Sequence, residues 1–310
     1  MKVKETEKSK TEGWQPLNWF EEEKFPAPQK LIILFAAPGG TIAKEQNPYL
    51  PVTHKEIVKN HVEAYKAGAS MVHVHVRDEK GLPTHDPELY KRVILEIKEK
   101  CPDVIIDCCF AYPTSEDNVE ARLEPICKLD LPIEIGTISG GTMNMLGQTI
   151  YINRENYLKA AVKYLQERKI RPAITLYNVK QIEDMKKWAI KSGIVKRPYL
   201  NLSLGLIGDP ARRDVFQTWF RYLPKECDWI LETAGRNWLP TLVEGILNGG
   251  GHIRAGMEDS IYMYPHKDDL IKSAAEVVNK VRRIAEELGR EIATPNEARK
   301  ILRLGNFLQK

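Results

Sequence analysis

The chain is sparing with cysteine, carries little net charge and has no long hydrophobic run. Its five cysteines are Cys101, Cys108, Cys109, Cys127 and Cys227. The number is odd and no two are spaced C-x-x-C, which excludes a disulfide framework and a thiolate zinc knot and leaves them as small buried hydrophobes. No stretch approaches the roughly 18 uncharged apolar residues of a membrane span, and the opening MKVKETEKSKTEGW lacks the apolar core of a secretory signal. No membrane partner is expected, and a cytoplasmic location is. With 46 Lys and Arg against 42 Asp and Glu, the formal net charge is +4. The basic residues are spread along helix faces rather than gathered in a stripe, so nucleic acid is not expected as a partner. There is also no internal repeat, low-complexity tract or Pro/Gly/Ser linker to divide the chain.

What the chain does have is alternation. Residues 1–29 mix Lys, Glu, Pro and aromatics without a steady period and read as an N-terminal extension, in which Trp14, Trp19 and Phe20 suit a subunit interface. Residues 30–310 read as a single catalytic domain. In it, apolar runs at 31–37, 70–76, 104–109, 133–137, 172–177, 199–204, 229–233 and 252–257 are separated for the most part by helical stretches. Runs dense in Ile, Val and Leu fit parallel strands buried on both faces, and eight β–α units close a barrel. Thr53-x-x-Glu56 is a capping box opening a helix that ends near Gly68, Asp86-Pro87 starts the next, and Asp209-Pro210 another. The last long helix is expected over 268–288, with Leu270, Ala274, Val277, Val281 and Ile284 on one stripe. Thr294-Pro295-Asn296-Glu297 then caps a short terminal helix. The expected fold class is α/β, a (β/α)₈ TIM barrel with an N-terminal extension and a short C-terminal helix. An open doubly wound sheet is the rival. Gly39-Gly40 follows the first run, but no third glycine or helix start follows, so a dinucleotide fingerprint is absent.

Chemistry concentrates at the ends of two runs. In His73-Val74-His75 the strand period of two puts both imidazoles on one face, at the barrel end that hosts active sites. Such a pair binds zinc and other borderline metals and calls for a third ligand from another strand. The plain alternative is two hydrogen-bonded histidines with no ion. The eighth run ends GGHIRAGMED, and in a closed barrel strand eight lies beside strand one and close to strand two, which brings Glu258 within reach. Asp259 offers a carboxylate for proton transfer and Arg254 a permanent positive charge. The alternative here is an ion-pair cluster that only closes the barrel. Adjacent Cys108 and Cys109 must face opposite sides of their strand, one of them inward.

VHVHVRD, AYKAGASMVHVHVRDEKGLPTHD, GGHIRAGMED and the tail RIAEELGREIATPNEARKIL together resemble the beta-keto acid cleavage enzyme family from about residue 30 onward. The resemblance implies a zinc-dependent barrel, assembled as a homotetramer, that joins a 3-keto acid to acetyl-CoA and releases acetoacetate and a new acyl-CoA. It makes His73, His75 and Glu258 the metal ligands, Arg254 and Asp259 the pair acting in deprotonation, and Thr137 a contact for substrate polar groups. Zinc is the implied ion; Mn²⁺ and Fe²⁺ accept the same donors.

The departures concern the substrate. Pro38-Gly39-Gly40-Thr41 stands where the family has T-G-A-E, so Thr41 replaces the acid that grips an amino group. Cys109-Phe110-Ala111-Tyr112 replaces S-T-G-G, and Arg171 to Asn178, with Thr175 inside it, replaces a run with three more carboxylates. A smaller, more apolar pocket is expected, for a substrate that has no ammonium group or is itself negative. Cys109 reads as a packing residue at the substrate, since the sequence places no base beside it to make a nucleophile. Arg236 is either a contact for a coenzyme phosphate or substrate carboxylate, or a solvated residue at a helix start. Asp78 and Asp86 read as structural, and His85 and His266 are left out as lone loop histidines. Two other functions stay open: a coenzyme-independent metal-dependent lyase or hydrolase, and a non-catalytic metal-binding barrel, against which the Arg254–Asp259 pair argues.

Overall fold

Eight short runs rich in aliphatic and β-branched residues form the strands β1 (Ile33–Ala37), β2 (Met71–Val74), β3 (Ile105–Cys109), β4 (Ile135–Ser139), β5 (Arg171–Leu176), β6 (Tyr199–Leu204), β7 (Asp228–Thr233) and β8 (His252–Ala255). In the computed structural model, which describes residues 27–111, 118–145 and 149–308, they pair in parallel in the order β1-β8-β7-β6-β5-β4-β3-β2 and close on themselves. This is the expected (β/α)₈ barrel. Among the described residues no helix is long and apolar enough to cross a membrane.

Helix starts follow local chemistry where the capping side chain is free to cap. Thr53 and Glu56 form the capping box of the helix His54–Ala67, which Gly68 ends in the left-handed region at φ 116°. Asp86 accepts from the amides of Glu88 and Leu89 to start Pro87–Lys100. Thr294 and Glu297 box the terminal helix Pro295–Ile301. Two expected starts are corrected. Asp209 does not start the helix that follows it: its Oδ2 accepts from Trp219 Nε1 at 2.7 Å and from the Val179 amide at 3.4 Å, and the helix begins later, at Arg213. The last long helix is Ala274–Glu287 with Ser273 as its cap, not a helix from residue 268. Asp268 is taken by Arg236, and Leu270 bridges to Tyr262 in extended backbone.

The strand register sorts the barrel interior into levels. Counting by two along the inward face gives Met71, His73, His75 on β2 and its end; Ile105, Asp107, Cys109 on β3; Ile135, Thr137, Ser139 on β4; and Tyr199, Asn201, Ser203 on β6. Each series starts apolar and turns polar. The apolar level, with Ile32, Leu34, Ala173 and Ile230, packs on Ala293, Ala298 and Leu302, so the terminal helix plugs the N-terminal end of the barrel. The outward residues, such as Phe35, Val72, Cys108 and Phe110, join the core shared with the helices. Polar interior groups are thereby confined to the C-terminal mouth.

Residues 27–29 of the expected extension are exposed or nearly so, and the carbonyl of Gln29 accepts from Arg290 Nε at 2.8 Å. Trp14, Trp19 and Phe20 lie outside the described residues.

Candidate metal centre and active site

At the mouth, a cavity of about 470 Å³ is floored by polar groups from β2, β3, β4, β7 and β8. His73 and His75 turn their Nε2 atoms toward each other at 3.1 Å. His73 Nδ1 faces Asp107 Oδ2 at 2.9 Å, and Asp107 Oδ1 accepts from Thr137 Oγ1 at 2.7 Å. Register explains the placement, because His73 and Asp107 are directly paired across β2 and β3. With Nδ1–H donated to a carboxylate, the Nε2 lone pair of His73 is presented to the cavity, an arrangement common behind metal-bound histidines.

Glu258 enters from the segment after β8. Gly256 lets that segment press against β1, where a Cβ would lie 1.9 Å from the Ala36 carbonyl oxygen, and the Glu258 amide donates to the same carbonyl at 3.2 Å. Glu258 Oε1 lies 3.2 Å from His75 Nε2 and 2.6 Å from Arg254. Its Oε2 is buried and has no hydrogen-bond partner among the described residues. The tightest cluster of donors is a different set from the expected one: His73, His75 and Cys109, whose ligand atoms all lie within 4.8 Å of one another. Glu258 adjoins that cluster through His75.

The base that the sequence does not place beside Cys109 is therefore present, in the form of two imidazoles. Burial pushes the Cys109 thiol up, but the imidazoles of His75 and His73 outweigh it and bring it down to about 6. Burial pushes His75 down, yet Cys109 and Glu258 raise it to about 9. For His73, burial is likewise overcome, chiefly by Asp107, and the ring is held well above its ordinary value. Glu258 is held well below the usual carboxylate range by Arg254 and the imidazoles, against the opposing effect of burial. The two imidazoles are raised and the two acids lowered because each faces the other, so the four side chains converge on one point as mutually stabilising opposite charges. The donor set, the unpartnered Glu258 Oε2 and the carboxylate-backed His73 fit a divalent cation.

Arg254 organises the remaining carboxylates. It grips Asp259 through Nε and Nη2 at 3.2 and 2.8 Å, and its Nη1 lies 3.3 Å from Glu232. Arg254 and Glu232 line the cavity; Asp259 does not, and stands behind the guanidinium. Burial, with Glu232 and Glu258 nearby, raises the Asp259 carboxyl to about 8 in spite of Arg254. Glu232 is also held by Asn201 Nδ2 at 2.7 Å and Ser203 Oγ at 2.8 Å.

Residues 30–304 match the beta-keto acid cleavage enzyme family. The chain belongs to that family. It is thus an enzyme of carbon–carbon bond cleavage. It is 39% identical over 278 residues to the 3-keto-5-aminohexanoate cleavage enzyme of Fusobacterium nucleatum, covering 89% of this chain and 98% of that one. It is 29% identical over 314 residues to the 3,5-dioxohexanoate:acetyl-CoA acetone transferase of Paraburkholderia graminis, covering 90% and 97%. In fold it is similar to ObcA solved in a binary complex with oxaloacetate, with a TM-score of 0.68 at 17% identity over 83% of this chain and 68% of that one. That likeness is one of fold alone.

Within this member of the family, the expected substrate residues fall in different places. Thr41 lines the rim, and Cys109 and Thr137 line the floor, Thr137 with its hydroxyl engaged by Asp107. Arg236 is not among the lining residues: it is stacked 3.6 Å above the Tyr262 ring and tied to Asp268 and the Lys267 carbonyl. Phe110 does not reach the cavity either, since its ring lies on the far side of the strand against Gly136 and the helix layer; Tyr112 lies outside the described residues. Asp86 and Asp78 are structural, a helix cap and a turn. His85, set aside in the sequence, lines the cavity with its ring against Tyr90. Sequence reasoning misses Asp107 and Glu232; Asp107 is the one acid of its strand, and Glu232 shares the inward face of its strand with Asp228 and Ile230.

Proposed function

We propose that this enzyme condenses a 3-keto acid with acetyl-CoA and releases acetoacetate and a new acyl-CoA, using one divalent metal, zinc before manganese or iron. The observation that carries the reading is the convergence of His73 and His75 beside Glu258, with Arg254 on the other side of that carboxylate. Acetyl-CoA appears in the name of the Paraburkholderia relative, and a cleaved keto acid in that of the Fusobacterium one. In the overall exchange, the C2–C3 bond of the keto acid breaks and C2 bonds to the acetyl carbonyl carbon. The coenzyme sulfur passes from the acetyl group to the released acyl group.

His73, His75 and Glu258 would hold the ion. Bound there, it supplies Lewis acidity for a 3-keto oxygen and for the charge that develops as an α-proton leaves. Arg254 faces the cavity and offers a fixed cation to the same developing charge. Asp259 grips Arg254 in a bidentate fork, and the two act together in the deprotonation, Asp259 from behind the guanidinium. Thr137 serves through Asp107, and with Thr41 and Cys109 it lies close to the substrate. The cavity has room for a short keto acid and the acetyl end of the coenzyme. Its outer wall carries Pro83, Met143, Met145, Leu206 and Ile207, and its two lining acids, Glu232 and Glu258, are both paired with Arg254. A keto acid with an uncharged apolar side chain suits such a wall. The family resemblance adds a homotetramer, which light scattering tests.

The deciding assay combines metal-loaded protein, acetyl-CoA and a panel of 3-keto acids with apolar, anionic or ammonium-bearing side chains, and reads acetoacetate. Production from a panel member, abolished by Glu258→Gln, is the expected result. No product from protein that demonstrably holds metal overturns the reading in favour of a coenzyme-independent lyase or hydrolase.

A further inference from the structure

Cys109 is placed by the barrel, not by a loop. Val74 pairs with Cys108 across β2 and β3, so the next residues, His75 and Cys109, emerge side by side one level above the paired His73 and Asp107. Period two sends Cys108 outward into the helix-facing core and Cys109 inward. Its side chain is nearly buried, with 3% of the residue exposed; its Sγ lies 3.7 Å from the Ala111 carbonyl and otherwise faces the imidazoles of His73 and His75. Cys101 and Cys108 belong to the apolar core, Cys127 packs against it, and Cys227 donates to the Pro224 carbonyl. Cys109 alone among the described cysteines joins two imidazole nitrogens in one compact donor set.

We infer that Cys109 is itself a ligand of the metal, its Sγ joining His73 Nε2, His75 Nε2 and Glu258, with the coordination number free to rise to five when the keto oxygen arrives. The set contains two neutral imidazoles and two anions, which together neutralise a divalent ion. Arg254 already neutralises part of the charge on Glu258 at 2.6 Å, whereas the Cys109 sulfur faces the two imidazoles, which are neutral when they bind a metal. A sulfur donor also sets the metal preference: soft thiolate favours zinc, whereas manganese favours oxygen. Cys109 is then a residue that decides which ion the site takes.

The inference rests on the metal site proposed above, and cobalt separates the two. Full-length protein is loaded with Co²⁺ and read in two spectral regions. Visible ligand-field bands report a bound ion whatever its ligands; a near-ultraviolet sulfur-to-cobalt charge-transfer band reports a thiolate bond. Both are expected in the wild type. Cys109→Ser should keep the visible bands and lose the charge-transfer band, while Cys108→Ser keeps both. In chelator competition, Cys109→Ser should lose on the order of 10–100-fold in zinc affinity with manganese affinity changed far less, which narrows the zinc preference. Visible bands with no charge-transfer band in the wild type overturn the inference and leave the His73–His75–Glu258 site standing. A charge-transfer band that survives in Cys109→Ser overturns it as well. No visible bands at all overturn the metal site and the inference with it.

Discussion

Asp107 stands directly behind His73, with its Oδ2 2.9 Å from Nδ1, and is itself fixed by the Thr137 hydroxyl at 2.7 Å. Three strands thus contribute one residue each to aim a single nitrogen lone pair. The carboxylate fixes the tautomer and raises the basicity of the ring, and outer partners of this kind matter to metal affinity almost as much as the ligands. Asp107→Asn keeps the shape but removes the charge. The expected loss is on the order of 10–100-fold in metal affinity, measured by competition with a chromophoric chelator. Thr137→Val, which frees Asp107 Oδ1, should show a smaller loss in the same direction. Wild-type affinity in Asp107→Asn would mean that His73 does not bind the ion through Nε2.

Gly39 makes the space that Glu258 occupies. It sits at φ +69°, and a Cβ added there would lie 2.3 Å from Glu258 Cγ. The Gly39 carbonyl also receives two donors from Arg77, at 3.1 and 2.7 Å, so the loop cannot easily swing away. Gly39→Ala therefore has to move the Glu258 side chain. A fall in thermal stability equivalent to about 1 kcal/mol or more is expected from the left-handed backbone alone. Metal affinity should fall with it because a proposed ligand is displaced. Calorimetry and metal titration on one sample check both; stability lost with affinity intact would remove Glu258 from the ligand set.

Much of this was legible in the sequence, and the failures share a cause. The eight strands stand out because apolar runs buried on both faces have no competing reading at that length and spacing. His73 and His75 stand out because two imidazoles at period two are rare enough to notice. Asp107 and Glu232 are not legible because an acid inside an apolar strand shows its role only once the register sets it against His73 or Arg254. Counting by two from His73 along the paired strand would have found the first. Asp209 and Asp268 were read as helix starts because their real partners, Trp219 and Arg236, are contacts that spacing rules do not describe. Cys109 read as a packing residue for the same reason: its neighbours are 34 and 36 positions away in the chain.

Thr41 sits at the cavity rim, exposed, at the position where the family's resemblance places an amine-gripping acid. Neither Glu232 nor Glu258 is free to take that role, since both face Arg254. Thr41→Glu restores an unpaired carboxylate at the rim without touching the donor set. The expected effect is a shift of kcat/KM toward ammonium-bearing 3-keto acids over uncharged ones by about 10-fold or more, carried mainly by KM because an exposed rim contact contributes about 1–2 kcal/mol. An unchanged ratio would place the substrate side chain elsewhere in the cavity.

His252 lies at the other end of the barrel, far from this chemistry, and sets a pH dependence of stability. It is buried, and its Nδ1 accepts from the Ile32 amide at 3.2 Å, which requires that nitrogen to be unprotonated. Burial, assisted by the Arg290 cation, pushes its pKa down to about 3. In the unfolded chain the ring titrates near about 6.5. Between those values the unfolded state binds more protons, so the stabilisation is present above the unfolded value. It is lost as pH falls toward 3, at up to about 1.4 kcal/mol per pH unit. His252→Asn keeps an acceptor for the Ile32 amide and removes the titration. Denaturant unfolding at pH 7 and pH 5 should show a drop in stability that is about 2 kcal/mol smaller in the variant than in the wild type. The variant is expected to be less stable than the wild type at pH 7 because a smaller side chain leaves space in a packed site. Equal pH-dependent drops in the two proteins would show that His252 is not held neutral in the folded barrel.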